Sequence, residues 1–108
     1  MALSPVRISM PSEAKKGEAF EIKALVRHPM ETGYRVDTMG QLIPRNILTA
    51  LTVTYNGTEI FRMQMAQGIA ANPFLSIFVR AAETGELVFT WTGDQGTEIA
   101  ERKMLTVI

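Results

Sequence analysis

The sequence predicts an all-β protein, an antiparallel sandwich or barrel of about seven strands, in a single domain spanning residues 1–108. Short runs rich in Val, Ile, Thr and Phe alternate with turn residues about every 8–15 positions, a spacing typical of this fold class. Within several runs apolar and polar residues alternate, as in strands with one buried face. No stretch free of both Pro and Gly exceeds 12 residues, which excludes a membrane-spanning helix or a long coiled coil.

Seven runs are predicted to be strands. In chain order they are Val6–Met10, Ala19–Arg27, Ala50–Tyr55, Thr58–Met65, Leu75–Ala82, Glu86–Thr92 and Glu101–Val107. Asn56-Gly57 separates the third and fourth runs and favours a two-residue hairpin, because both central residues of a type I′ turn need positive φ. Short turns at 83–85 and 92–96 predict that the last three strands follow one another as a meander.

Alternation assigns the faces of these strands. The predicted core side chains are Phe20, Ile22, Ala24, Val26, Leu51, Val53, Tyr55, Phe61, Met63, Met65, Leu87, Phe89 and Trp91. The strand near 75–82 differs because it is apolar on both faces, with Phe74 and Phe78 opposite the other apolar residues. Such a strand is either central in its sheet or faces a partner.

Composition excludes several functional classes. The 108 residues carry eleven basic and eleven acidic side chains, for a formal net charge of zero, and contain no cysteine. Disulfides, thiolate catalysis and cysteine-based metal sites are therefore excluded. No Lys/Arg cluster is longer than two residues, which argues against an electrostatic nucleic-acid surface.

Catalytic motifs are sparse. A Ser-His-Asp relay would have to use His28, the one histidine, yet no serine lies in a Gly-x-Ser-x-Gly turn. Glu31 and Asp37 are six residues apart in a predicted loop, a spacing that specifies no reacting geometry. We therefore expect no catalytic residue and no cofactor.

Methionines leave one metal-binding alternative open. His28-x-Met30 supplies an imidazole and a thioether, and Met63-x-Met65 supplies two more thioethers. These soft donors suit Cu(I). However, Met63 and Met65 lie on a predicted core face, and methionine commonly fills gaps in cores. A copper-binding periplasmic sandwich therefore stays the alternative function, whereas no resident metal is the main expectation.

One connection is unusually long. From His28 to about Leu48 the chain runs for some twenty residues with two Pro, two Gly and no sustained period. Structureless loops beyond about 12–15 residues are usually functional or disordered. Charged residues here are interleaved with Tyr34, Ile43 and Ile47, a mixture too apolar for a flexible linker. We expect a loop that packs on the sandwich and takes part in recognition.

The sequence pattern of this loop continues through the rest of the chain. Its residues are His28-Pro-Met-Glu-Thr-Gly33, Arg35, Asp37, Gly40, Ile43-Pro-Arg45, Tyr55-Asn-Gly57, Ala71-Asn-Pro-Phe74, Gly85-Glu-Leu87, Trp91 and Asp94-Gln-Gly96. In order and approximate spacing they resemble the SoxZ family, the small subunit of the bacterial sulfur-carrier complex of thiosulfate oxidation. Only the turn at 94–96 departs slightly from the family's Asp-Asn-x-Gly-like pattern.

The resemblance implies an immunoglobulin-like sandwich bound to SoxY, whose C-terminal arm carries the cysteine to which sulfur intermediates are attached. This chain would be the non-covalent half of a heterodimer or a higher assembly, with transient contacts to other sulfur-oxidation enzymes. The N-terminal residues lack the charged start and apolar run of a secretory signal. The resemblance therefore implies export to the periplasm together with SoxY, which carries the signal. Neither nucleic acid nor a membrane is an expected partner.

Ten residues are the candidates for the partner interface. They are His28, Met30, Glu31, Arg35, Asp37, Arg45, Asn72, Pro73, Phe74 and Phe78. Two interpretations stay open for Arg35 and Arg45: ion pairs with Glu31 or Asp37 that lock the loop, or contacts with the anionic substituent on the partner's arm. Fixed Arg–carboxylate pairs in long loops are the more common arrangement.

Overall fold

The computed structural model describes residues 5–66, 69 and 71–108, and these residues form an all-β structure. Its strands are β1 (Val6–Ser9), β2 (Glu13–Ala14), β3 (Ala19–Val26), β4 (Leu48–Tyr55), β5 (Thr58–Gln64), β6 (Phe74–Arg80), β7 (Gly85–Gly93) and β8 (Glu98–Val107). All seven predicted strands are present, with ends shifted by up to three residues. Within the described ranges, no helix has the length and apolar character needed to cross a membrane.

The strands form two sheets. One has three strands in the order β1-β3-β6, and the other has five in the order β2-β8-β7-β4-β5. Neighbouring strands are antiparallel, except that β2 runs parallel to the end of β8. The predicted immunoglobulin-like antiparallel sandwich is confirmed, with eight strands instead of about seven. Strand β2 was not predicted, because two residues are too few to show an alternating pattern.

The predicted meander of the last three strands is wrong in one respect. β7 and β8 do pair, from Gly85 opposite Leu105 to Thr92 opposite Glu98. β6 instead pairs with β3 in the other sheet, with Ile22 opposite Ile77 at the centre of the ladder. A short connection does not require two strands to be hydrogen-bonded neighbours, since the chain can cross from one sheet to the other.

The side chain of Tyr55 holds this crossing. Its hydroxyl donates a hydrogen bond to the Glu83 carbonyl and accepts two, from Ala82 N at 3.4 Å and Glu83 N at 3.2 Å. Tyr55 lies at the end of β4 and is buried. A buried phenol needs such partners, and here they fix the backbone between β6 and β7.

The neighbouring Asn56 side chain supports the same crossing. Its Oδ1 accepts a hydrogen bond from Glu86 N at 3.1 Å, and its Nδ2 donates to the Thr84 carbonyl at 3.3 Å. Gly85 lies directly against it: a Cβ at this position would come within 1.8 Å of Asn56 Oδ1. Only glycine therefore fits at the start of β7 while this contact is made.

The core lies between the two sheets. Its buried hydrophobic residues are Val6, Ala14, Phe20, Ile22, Ala24, Val26, Met30, Ile47, Leu48, Leu51, Val53, Tyr55, Met65, Ala81, Leu87, Phe89, Trp91 and Leu105. The rings of Phe89 and Trp91 stack with centroids 6.4 Å apart. Of the predicted core residues, only Phe61 and Met63 are half-buried, because β5 is an edge strand of its sheet.

The Asn56-Gly57 hairpin turn gives a stability prediction. Both residues have positive φ, 50° and 82°, as the sequence predicted. A side chain at Gly57 would meet no atom within 4 Å, so the cost of replacing it is conformational alone. Gly57→Val should lower the free energy of unfolding by about 1–2 kcal/mol, because a β-branched residue resists positive φ. Gly57→Asn, which tolerates this region, is the matched control and should lose much less; equal losses in denaturant titrations of the two variants would contradict this account.

Candidate partner interface

The long connection between β3 and β4 consists of a packed base and an exposed tip. In the base, His28, Met30 and Ile47 are buried in or beside the core. The tip, residues 34–42, exposes four large apolar side chains: Tyr34 at 78%, Val36 at 54%, Met39 at 82% and Leu42 at 67%. The expectation of a packed loop therefore holds for the base, whereas the tip projects its apolar side chains into solvent.

Backbone hydrogen bonds close the base. Glu31 and Asn46 exchange two such bonds of 2.8 Å each. Met30 adopts a φ of 51°, and its Sδ accepts a hydrogen bond from Leu48 N at 3.3 Å. The two ends of the loop are thus joined directly beneath the tip.

The tip is itself an ordered turn. Val36 and Leu42 form an antiparallel bridge. The Asp37 carboxylate accepts hydrogen bonds from Met39 N at 2.8 Å and Gln41 N at 3.0 Å, in the manner of an Asx turn. The carboxylate that sequence reasoning offered as an ion-pair partner is therefore occupied by backbone amides.

Both arginines of the loop are paired with carboxylates. Arg35 binds Glu31 through Nη2 and through Nε, the latter at 3.3 Å, and Glu31 is one of the two carboxylates that the sequence suggested. Arg45 Nε binds Asp94 Oδ2 at 2.7 Å, in the turn between β7 and β8. Both arginines thus form ion pairs that lock the loop, which was one of the two interpretations left open by the sequence. However, the partner of Arg45 is neither of the two carboxylates that the sequence suggested.

Asp94 is the residue that joins the loop to the sandwich. Its Oδ1 accepts a hydrogen bond from Ile47 N at 3.1 Å, and its own backbone N donates to the Ile47 carbonyl at 3.1 Å. These contacts lower the pKa of Asp94; the Ile47 amide contributes most, followed by Arg45. Sequence reasoning assigned Asp94 only to a turn, because nothing local shows that it lies opposite a residue 49 positions away.

The ion pair of Arg35 has a similar electrostatic effect. Hydrogen bonding from Arg35 lowers the pKa of Glu31 and raises that of the guanidinium. The guanidinium of Arg35 is largely exposed to solvent, so the pair orients the loop more than it stabilises the fold.

The start of the loop is attached to the start of β6. His28 N donates to Asn72 Oδ1 at 2.9 Å, and Asn72 N donates to the His28 carbonyl at 2.7 Å. Val26 N donates to the Pro73 carbonyl at 3.2 Å, which continues the β3–β6 ladder by one pair. The structure therefore joins two interface candidates, His28 at the loop base and Asn72 before β6, that are 44 positions apart in sequence.

The His28 ring is part of this base and is poorly placed to bind copper. Its Nδ1 accepts a hydrogen bond from Met30 N at 3.0 Å, so the proton of the neutral ring lies on Nε2. A protonated nitrogen offers a metal no lone pair. Met30 Sδ is likewise engaged by a backbone amide. In the described part of the chain, no group of three or more His, Asp or Glu side chains could hold a metal ion.

The remaining candidates, Phe74 and Phe78, lie on the outer face of β6. Their exposed fractions are 62% and 72%, whereas Leu75, Ile77 and Val79 on the opposite face pack against the core. At the beginning of β6 lies an open groove of about 420 Å³, lined by Met63, Ile69, Ala71, Asn72, Pro73 and Phe74. Apolar side chains thus cover the outer face and the beginning of this strand.

Two exposed apolar surfaces therefore border the loop base: the tip and the outer face of β6. The sequence predicted that the loop as a whole takes part in recognition, but the individual candidates include the β6 residues and none of the four apolar tip residues. One signal could have found the tip, because Val36 and Leu42 flank an Asp37-x-x-Gly40 turn.

The contact between Arg45 and Asp94 gives a pH-dependent prediction. The pKa of Asp94 lies below its ordinary value of 3.8, so the carboxylate contributes stability above that value and loses it as the pH falls through the lower folded value. Asp94→Asn should therefore melt below the wild-type temperature at neutral pH, and the difference should shrink as the pH falls below 3.8 and the wild-type carboxylate becomes protonated. Asp37→Asn is the control, because its amide oxygen can still accept the tip hydrogen bonds. A pH-independent deficit in Asp94→Asn would contradict the assignment.

Comparison with solved structures places the fold among known sandwiches. The superoxide reductase (neelaredoxin) from Ignicoccus hospitalis has a TM-score of 0.71 at 17% identity, covering 95% of this chain and 80% of that chain. The sulfur carrier protein SoxY from Chlorobium limicola f thiosulfatophilum has a TM-score of 0.68 at 14% identity, covering 98% and 81%. The superoxide reductase from Nanoarchaeum equitans has a TM-score of 0.65 at 17% identity, covering 94% and 92%. At these identities the similarity concerns the fold alone.

Comparison with family models identifies the family of the chain. No curated protein sequence matches the chain. The family model described as "Sulphur oxidation protein SoxZ" matches residues 6–103, which include the loop, the residues at 72–74 and the turn that contains Asp94. The chain therefore belongs to the SoxZ family of sulfur-oxidation proteins.

Proposed function

We propose that this chain is the non-covalent subunit of a sulfur-carrier complex and pairs with a SoxY-type protein whose cysteine carries the sulfur intermediates. The observation that carries the proposal is the SoxZ family match over residues 6–103. The 108 residues contain no cysteine, so a thiol-bound intermediate has to be attached to another chain. The role of this subunit is to bind and orient the carrier, without a catalytic residue of its own.

The surface chemistry supports a binding role. Phe74 and Phe78 on β6, together with the apolar tip, expose more large hydrophobic side chains than isolated surface positions require. Ion pairs at the loop base fix the orientation of the tip relative to the sandwich. Ordered apolar surfaces of this kind lower the entropy lost on association.

The setting of the complex follows from the same proposal. A partner that carries an export signal would bring this chain to the periplasm as a folded complex. Other sulfur-oxidation enzymes would then act on the carrier's cysteine, contacting this subunit transiently. The geometry does not support the copper alternative, because His28 Nδ1 and Met30 Sδ, the atoms that would bind the metal, accept hydrogen bonds from backbone amides in the loop base.

Co-expression with a SoxY-type partner tests the proposal. The two chains should co-purify as a stoichiometric complex, and native mass spectrometry should give its composition. After incubation with thiosulfate and the enzymes that load the carrier, the added sulfur should be found on the partner, and the intact mass of this chain should be unchanged.

Two results would contradict this function. One is a failure of the wild-type chain to bind any SoxY-type protein under conditions in which both chains are folded. The other is a sulfur adduct on this polypeptide, or turnover of thiosulfate by this polypeptide alone. Cu(I) titration of the isolated chain is a separate check, and we expect no stoichiometric binding.

A further inference from the structure

Strand β6 has an open edge. It pairs with β3 on one side, and among the described residues no strand pairs with its other side. Val26 N donates to the Pro73 carbonyl at one end of the β3–β6 ladder, and Ala81 N donates to the Glu18 carbonyl at the other. Hydrogen-bonded positions alternate along an antiparallel pair. The register is continuous between these ends. The backbone N–H and C=O groups of residues 75, 77 and 79, and the carbonyl of residue 73, therefore point toward β3, whereas the backbone groups of residues 74, 76, 78 and 80 point to the open edge.

The same residues direct their side chains to the outer face. Phe74 and Phe78 therefore contribute both an exposed ring and an unpaired backbone N–H and C=O. Proteins normally protect such an edge, since a row of free backbone groups beside apolar side chains recruits another strand. In β6 the one charged residue is Arg80, at its end.

The other sheet edges carry the protection that β6 lacks. β1 has only four residues and β2 only two. β5 has a register irregularity opposite β4 and an ion pair between Glu59 and Arg62. The part of β8 that β2 leaves uncovered contains Glu98, Arg102 and Lys103. Length, irregularity or charge thus discourages pairing at each of these edges.

The charged residues beside Phe78 on the outer face are engaged by contacts within the chain. Glu21 accepts a hydrogen bond from Ser76 Oγ at 2.8 Å and lies 3.9 Å from Lys23 Nζ. Arg80 Nη1 donates to the Gly17 carbonyl at 2.6 Å. Because these side chains are held within the chain, the contact that β6 itself offers a partner is mainly apolar and backbone-mediated.

We propose that the open edge of β6 pairs antiparallel with the corresponding edge strand of a SoxY-type chain, so that the three-stranded sheet of this chain continues into a sheet of the partner. The proposed function supplies the occupant, and the shared fold supplies the geometry. The solved SoxY structure is similar in fold over 98% of this chain, and two chains of similar fold can pair through equivalent edges about an approximate twofold axis. A free edge with alternating apolar side chains is the surface that strand addition uses. This inference rests on the proposed function and specifies where the partner docks.

Charge introduced at the edge tests the inference. Phe78→Lys should weaken binding of the SoxY-type partner by about 30-fold or more, as at an interface hot spot. Met104→Lys is the matched control, because Met104 is a similarly exposed apolar residue (59%) on the outer face of the other sheet. It should bind with wild-type affinity. Thermal melting of each isolated variant should match the wild type, since the Phe78 side chain makes little contact with the core.

A variant at the loop tip separates the two exposed surfaces. Met39→Lys should retain partner binding if β6 is the docking edge. The inference is overturned if Phe78→Lys binds the partner as the wild type does, or if Met39→Lys loses binding while Phe78→Lys retains it. It is also overturned if Phe78→Lys abolishes only self-association of this chain, which would assign the edge to a second copy. A wild-type chain that binds no SoxY-type protein would instead refute the proposed function.

Discussion

The hydrogen bonds of the Tyr55 hydroxyl determine where the chain leaves one sheet for the other, and the exposed surfaces follow from that crossing. Tyr55 and Asn56 fix residues 82–86, and a Cβ at Gly85 would displace the Asn56 side chain from these hydrogen bonds. As a result β6 lies in the three-stranded sheet, beside β3 and without a second neighbour. Were β6 to follow the meander instead, it would have to pair with β7, which here lies between β8 and β4, and the three-stranded sheet would lose this edge.

The loop base depends on a second set of long-range contacts. Asp94 holds Arg45 and Ile47, while Asn72 holds His28, so the two ends of the loop are tied to the β7–β8 turn and to the start of β6. This places the apolar tip and the apolar outer face of β6 on either side of one rigid base. A partner of a SoxZ-family subunit therefore meets surfaces whose positions are set before binding, which limits the entropy lost on assembly.

Much of the fold could be predicted from the sequence, because strand alternation and the Asn56-Gly57 turn are local signals. Alternation also predicted that Phe74 and Phe78 lie on the face of β6 opposite its other apolar residues. The sheet to which β6 belongs could not be predicted, because the contacts of Tyr55 that fix the crossing are long-range and give no pattern in the sequence near β6. The partners of the Arg35 ion pair are four positions apart, a separation at which such pairs are predictable. The partners of the Arg45 ion pair are 49 positions apart, and the packing of the sheets brings them together.

Hydrogen exchange of the β6 amides in the complex tests the central claim most directly. In the isolated chain, the amides of residues 74, 76, 78 and 80 should exchange fast, because they point to the open edge. The amides of residues 75, 77 and 79, bonded to β3, should already be protected and serve as an internal control. Binding of a SoxY-type partner is predicted to protect the first group strongly. Unchanged fast exchange of that group in a saturated complex would contradict edge pairing.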